Sequence, residues 1–152
     1  MKVAVGCDHA GFPLKGTVLD TLDELGLKYE DFGCFSEESV DYPDIGASVA
    51  RAVQSGDYDR GILLCGSGIG MSMVANKVKG IRAANCENAK SAGLSRLHND
   101  ANVLTLGARV VAPELAVEIL KQWFQTEFDG GRHGRRVNKI AEIEREESSQ
   151  SG

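Results

Sequence analysis

Three stretches of this 152-residue chain set reactive side chains beside glycine, where a backbone can turn sharply and approach a small ligand closely. They are Cys7–Asp8–His9–Ala10–Gly11, Cys65–Gly66–Ser67–Gly68–Ile69–Gly70 and Gly107–Ala108–Arg109. In the second, glycines at alternate positions let N–H groups turn inward, and the helix that follows adds its positive end. That combination suits an anion. It is none of the common phosphate loops. Met71 stands where a dinucleotide fingerprint needs glycine and where a C-x5-R phosphatase needs arginine, and no Lys-Ser/Thr pair completes a P-loop. The same residues also read as a tight strand-to-helix turn without a ligand.

Cys65 precedes this loop. Backbone donors around a thiol favour its thiolate, which can act as base or nucleophile; a small buried hydrophobe ending a strand is the other reading. His9 follows Asp8, which is placed to fix its tautomer. His98 sits beside Asn99 and Asp100, a polar trio expected to face solvent or ligand. Arg132, His133, Arg135, Arg136 and Lys139 form a basic run, either a solvated face or, with Arg109, a means of capturing one small dianion through bidentate arginine contacts. No H-x3-H, HExxH or CxxC spacing supports a metal, so none is expected.

The elements that position these groups follow from hydrophobic pattern. Val3–Cys7, Lys28–Phe32, Ile62–Cys65, Ile81–Asn85 and Asn102–Leu106 read as strands. Helices are predicted from Pro13 to Gly26, from Pro43 with Ile45, Val49 and Val53 on one face, over about 70–78 and 88–97, and around Leu115, Ile119, Leu120, Trp123 and Phe124. Strand and helix alternate five times, which predicts a doubly wound, right-handed three-layer αβα sandwich on a five-stranded parallel sheet. Ligands of such sheets sit outside the carboxyl ends of the strands, where the three stretches and, after the fourth strand and its helix, Arg96–Leu97–His98–Asn99–Asp100 are expected. A last amphipathic helix carries Val137, Ile140, Ala141 and Ile143. With the α/β unit already complete, this segment of about 129–145 is expected to pack on a second subunit.

Apolar residues make up 42% of the chain, enough for a sizeable core, and the length suits one domain over 1–145 with a flexible tail over 146–152. Seventeen basic against 22 acidic side chains leave a net charge of −5, which argues against a nucleic-acid or membrane-surface partner. No signal peptide or membrane span is evident, so a cytoplasmic location is expected, with Cys7, Cys34, Cys65 and Cys86 as free thiols.

Taken together, GCDHAG at Gly6–Gly11, DYP at Asp41–Pro43, ILLCGSGIGMSMVANK at Ile62–Lys77, GIRAA at Gly80–Ala84, SRLHNDANVLTLGARVV at Ser95–Val111 and EFDGGRHGRRV at Glu127–Val137 resemble the ribose-5-phosphate isomerase type B family, which also includes galactose-6-phosphate isomerase subunits. All six segments occur in order from Lys2 to about Glu144. The resemblance implies a flavodoxin-like (Rossmann-type) sandwich and a homodimer, with tetramers another possibility, whose subunits share active sites and interconvert ribose 5-phosphate and ribulose 5-phosphate without cofactor or metal. It implies Cys65 as the base, Ser67 as an aid to proton traffic, the amides of Gly66, Ser67, Gly68, Ile69 and Gly70 as holders of the enediolate oxygen, and His98 of a partner chain as the ring-opening group. Asp8, Tyr42 and Asn99 resemble contacts to sugar oxygens; His9, Arg109, Arg132 and Arg136 resemble a phosphate set.

One branch of that family replaces the cysteine by a glutamate at the start of the following helix; Cys65 and Met71 place this chain with the cysteine branch. Ser67 stands where many members carry threonine. His98, absent from galactose-6-phosphate subunits, favours ribose 5-phosphate, with allose 6-phosphate and galactose 6-phosphate as alternative substrates. A non-catalytic sugar-phosphate-binding module would keep the anion loop but need neither thiol nor histidine. A flavin carrier would want a Ser/Thr-rich cradle, and a phosphate-receiver domain acidic residues in place of Cys65–Gly66.

Overall fold

The computed structural model describes residues 1–150. Five strands, β1 (Lys2–Cys7), β2 (Lys28–Asp31), β3 (Arg60–Cys65), β4 (Ala83–Asn85) and β5 (Val103–Gly107), form one sheet in the order β2-β1-β3-β5-β4. Every pairing is parallel. Six helices alternate with and follow the strands: α1 (Phe12–Glu24), α2 (Tyr42–Gln54), α3 (Ile69–Ala75), α4 (Ala89–Leu97), α5 (Pro113–Gln125) and α6 (Arg132–Gln150).

The three-layer α/β sandwich is as expected, with one refinement. In the flavodoxin order the last strands follow the chain, whereas here β5 lies inside β4. Burial explains the exchange. Val103–Gly107 is buried throughout, so it belongs in the middle of the sheet; Ala83–Asn85 is short and half-exposed, as an edge strand can be. Each crossover is covered by a helix. One core cluster, with Val5, Ile62, Leu64, Leu104 and Trp123, gathers α1, α4 and α5 on one face; a second, with Val49, Leu63, Met71 and Val103, gathers α2 and α3 on the other.

Proline opens three helices within the first two positions, where its missing N–H costs nothing. Helix α3 ends at Ala75, short of the expected 78, because the Asn76 side chain turns to the sheet and pairs with both backbone groups of Ala83, at 2.8 and 3.0 Å. At the other end of the chain, α6 runs through Gln150, so Glu146–Gln150 of the expected tail is helical; residues 151 and 152 of that tail lie outside the described residues. Glu144 fastens α6 by accepting the Gly80 N–H at 2.9 Å, while Ile140 and Ile143 remain open to solvent.

The loops above the carboxyl edge are drawn together by glycine. A Cβ on Gly107 would overlap the backbone of Ser67, and one on Gly11 would overlap the carbonyl of Leu64. The turns after β1, β3 and β5 therefore touch main chain to main chain. Gly107→Ala is expected to destabilise the fold by about 1–3 kcal/mol through overpacking, seen as a lower urea midpoint with an unchanged slope.

Candidate active site

The carboxyl ends of β1, β3 and β5 surround a cavity of about 610 Å³. The order in which strands are added turns round between β1 and β3, the switch point where open α/β sheets bind ligands. Of the residues singled out from sequence, Asp8, His9, Tyr42, Cys65, Gly66, Ser67, Ile69, Gly70 and Arg109 line this cavity. Ala10, Met73 and Val110 line it too and were not anticipated. Met73 lies one helical turn beyond Ile69 and Gly70 and is largely exposed, as is Val110 beside Arg109; side chains on the same turn or loop as a site residue were the available signal.

Cys65 ends β3 with only 5% of its surface exposed, and the Gly68 N–H donates to its Sγ at 3.1 Å. A donor aimed at sulfur supports negative charge there. Gly68 reaches this position at φ +82°, and a Cβ on it would strike the Asn85 side chain, so glycine is needed on both counts. It lies beneath the loop rather than on the cavity wall. The Ser67 Oγ accepts the Ile69 N–H at 3.2 Å. The Gly68 and Ile69 amides are thus committed inside the loop, while those of Ser67 and Gly70 have no protein acceptor among the described residues.

Around the thiol, each side chain has a fixed origin. Asp8 caps the turn into α1, its Oδ1 accepting the Gly11 N–H at 2.9 Å, and its second oxygen has no such bond. It does not orient His9, as adjacency suggested. Instead the Val40 N–H donates to His9 Nδ1 at 3.2 Å. A neutral ring held this way carries its proton on Nε2, free to donate to a ligand oxygen. Tyr42 lies against Gly70, where a Cβ would come within 2.8 Å of its ring. Arg109 is anchored by its N–H to the Gly66 carbonyl at 3.0 Å, with its guanidinium over Gly66.

His98, Asn99, Arg132 and Arg136 are not in this cavity. His98 caps the C-terminus of α4 and so lies at the amino edge of the sheet, where β5 starts. Its ring stacks on His133, with centroids 4.2 Å apart and planes 10° from parallel, which brings the start of α6 with Arg132 and Arg136 to that same edge. The turn is held firmly. Arg82 donates to the carbonyls of Asn99 and Asp100 at 2.9–3.1 Å, and the Asp100 carboxylate bridges Arg82 and Arg96 at 3.3 and 2.8 Å. Asp100 takes φ +48°, a left-handed conformation these arginine contacts offset.

Loss of hydration, followed by the neighbouring His98 and Arg132, holds the His133 imidazole below its ordinary value of 6.5. Unfolding releases it to take up a proton, so stability is lost as pH falls through 6.5 towards the lowered value and is level above it. Urea midpoints at about pH 7.5 and about pH 5.5 should therefore differ less in His133→Gln than in the parent chain.

Comparison with known proteins agrees with this geometry. The family model described as ribose/galactose isomerase matches residues 3–140. Ribose-5-phosphate isomerase B of Escherichia coli is 50% identical over 143 residues, covering 94% of this chain and 96% of that protein. D-erythrulose-4-phosphate isomerase of Pectobacterium atrosepticum is 46% identical over 151 residues, covering 99% of each. Among solved structures, ribose-5-phosphate isomerase B of Clostridium thermocellum superposes with a TM-score of 0.94 at 54% identity, covering 96% of this chain and 99% of that one. The Mycoplasma genitalium enzyme with bound ribulose-5-phosphate gives 0.90 at 39% identity, covering 95% and 97%. With a family model spanning nearly the whole chain and relatives near half identical along its length, this chain belongs to the ribose/galactose isomerase family.

Proposed function

We propose that the chain interconverts ribose 5-phosphate and ribulose 5-phosphate through a cis-enediolate. The observation that carries this reading is the Cys65 thiol lining one cavity with Asp8, Ser67 and Arg109 and receiving the Gly68 N–H. With the sugar chain open, the Cys65 thiolate takes the C2 proton and returns it to C1. The Ser67 hydroxyl passes a proton between O2 and O1, and unengaged loop amides hold the oxygen that becomes negative. Two protons move and no electrons leave the sugar, so the step balances without a co-reactant. His9, through Nε2, and Arg109 grip the phosphate, whose binding energy then orients the reacting carbons. Asp8 and Tyr42 contact sugar oxygens.

The remaining groups come from a second copy of the chain. β3 and β5 pair from Gly61↔Val103 to Cys65↔Gly107. At about 3.3 Å per residue the two edges are roughly 15 Å apart, so His98 of one chain is out of reach of its own Cys65. A two-fold dimer answers this: the amino edge of each copy meets the cavity of the other, bringing His98 for ring opening, Asn99 for a ring oxygen and Arg132 with Arg136 for the phosphate. The exposed Ile140 and Ile143 of α6 supply apolar surface for such a contact. Among the described residues no helix is long and apolar enough to cross a membrane, and the free cysteines suit the cytoplasm as its place of work.

Cys65→Ala should lower turnover by about 10³-fold or more while the chain still binds ribose 5-phosphate by calorimetry; retained turnover would remove Cys65 from its role. Side-by-side assays on ribose 5-phosphate, allose 6-phosphate and galactose 6-phosphate should show the pentose as the best substrate. Mixing inactive Cys65→Ala with inactive His98→Asn tests the shared site. Re-associated mixed dimers contain one intact site, so about a quarter of parental activity should return. No return would mean each chain works alone.

A further inference from the structure

Cys7 and Cys34 are neighbours outside the catalytic scheme. The β1–β2 ladder continues past β2, with the Cys7 N–H on the Gly33 carbonyl and the Cys34 N–H on the Cys7 carbonyl, so the two cysteines lie side by side. Their sulfurs are 3.9 Å apart. Cys7 is wholly buried, whereas Cys34 is half-buried and reachable. The Lys15 ammonium, itself only 6% exposed, bonds the Cys34 carbonyl and pairs with Asp31 at 2.8 Å, which ties the backbone at Cys34 to α1.

We propose that this pair is an oxidation site, which a hydroperoxide converts into a Cys7–Cys34 disulfide that weakens ligand binding in the adjoining cavity. Cys34, the exposed partner, attacks the peroxide: an S–O bond forms, the O–O bond breaks, and the departing oxygen leaves as an alcohol or as water. The Cys7 sulfur then attacks that sulfenic acid. An S–S bond forms, the S–O bond breaks, and the leaving hydroxide takes the Cys7 proton as water. The two thiols give up two electrons and the peroxide accepts them. Burial and the neighbouring Cys34 push the Cys7 thiol up to about 12, in keeping with its part as the second, resolving group.

The effect on binding follows from chain connection. A disulfide needs its sulfurs about 2 Å apart. Cys7 is fixed in the core, so the approach must come from the segment after Gly33. Six residues beyond Cys34 is Val40, whose N–H holds His9, and Tyr42 follows. Drawing this segment towards β1 disturbs the donor that orients His9 and the ring against Gly70. The effect on ribose 5-phosphate rests on the function proposed above; the oxidation itself does not.

The full chain carrying Cys65→Ala removes the cavity thiol and allows binding to be read without turnover. After hydrogen peroxide treatment and alkylation, peptide mapping should find Cys7 linked to Cys34 with the loss of two hydrogens. Calorimetry should show ribose 5-phosphate bound roughly three- to tenfold more weakly, the scale of one lost hydrogen bond, and dithiothreitol should restore it. Cys34→Ser in the same background should form no link and bind equally before and after peroxide. Cys34 oxidised to sulfinic acid with Cys7 still alkylatable would overturn the proposal, as would a disulfide with unchanged binding. If the reduced chain does not bind ribose 5-phosphate, the proposed function falls, and the oxidation site stands or falls on the peptide map.

Discussion

All five strands point the same way, and the placement of chemistry in this protein follows from that constraint. A parallel sheet gathers every strand's carboxyl end along one edge and every return connection along the other. Asp8, Cys65 and Arg109 come from widely separated parts of the chain yet converge, because each follows a strand that ends at the same edge. By the same rule His98, at the end of a return helix, is carried to the far edge. Reactive groups are thus sorted into two sets within one chain, and the proposed dimer is the symmetric way to reunite them.

Convergence would be of little use without close contact. Glycine supplies it by letting the turns after β1, β3 and β5 pack backbone against backbone. The charged and polar side chains then line one cavity with the backbone of the Gly66–Gly70 loop, whose donors are already oriented. Such fixed dipoles need not reorganise as charge develops on a bound sugar. The amino edge is made rigid by a different device, in which two arginines and Asp100 hold the turn beside His98.

Much of this was readable in the sequence because local pattern and physical cause coincide. Alternating glycines after a buried strand mark a loop that can approach an anion, and short apolar runs separated by helical periodicity mark a parallel sheet. What escaped depends on contacts distant in sequence. Val40 fixes His9 from 31 positions away, so the adjacent Asp8 was a natural but mistaken choice. The early end of α3 is set by the Asn76 grip on Ala83, a tertiary contact that helical periodicity does not register. The position of β5 inside β4 could have been read, since Val103–Leu106 is the more apolar run and Ala83–Asn85 the shorter. The helical 146–150 segment carries no apolar residue, but Glu and Gln are good helix formers and an interior apolar face is not required to extend an established helix.

Gly11 and Gly107 carry no chemistry, yet neither tolerates a single added carbon without moving the main chain that shapes the cavity. Selection on the site would therefore be recorded at positions that never meet a substrate. Across relatives, invariance at these two glycines would report the spacing of three turns, whereas variation at Met73 and Val110, whose side chains have room at the rim, would report changes in the sugar admitted. In a family whose members differ in substrate, the most constant residues and the most informative ones need not be the same.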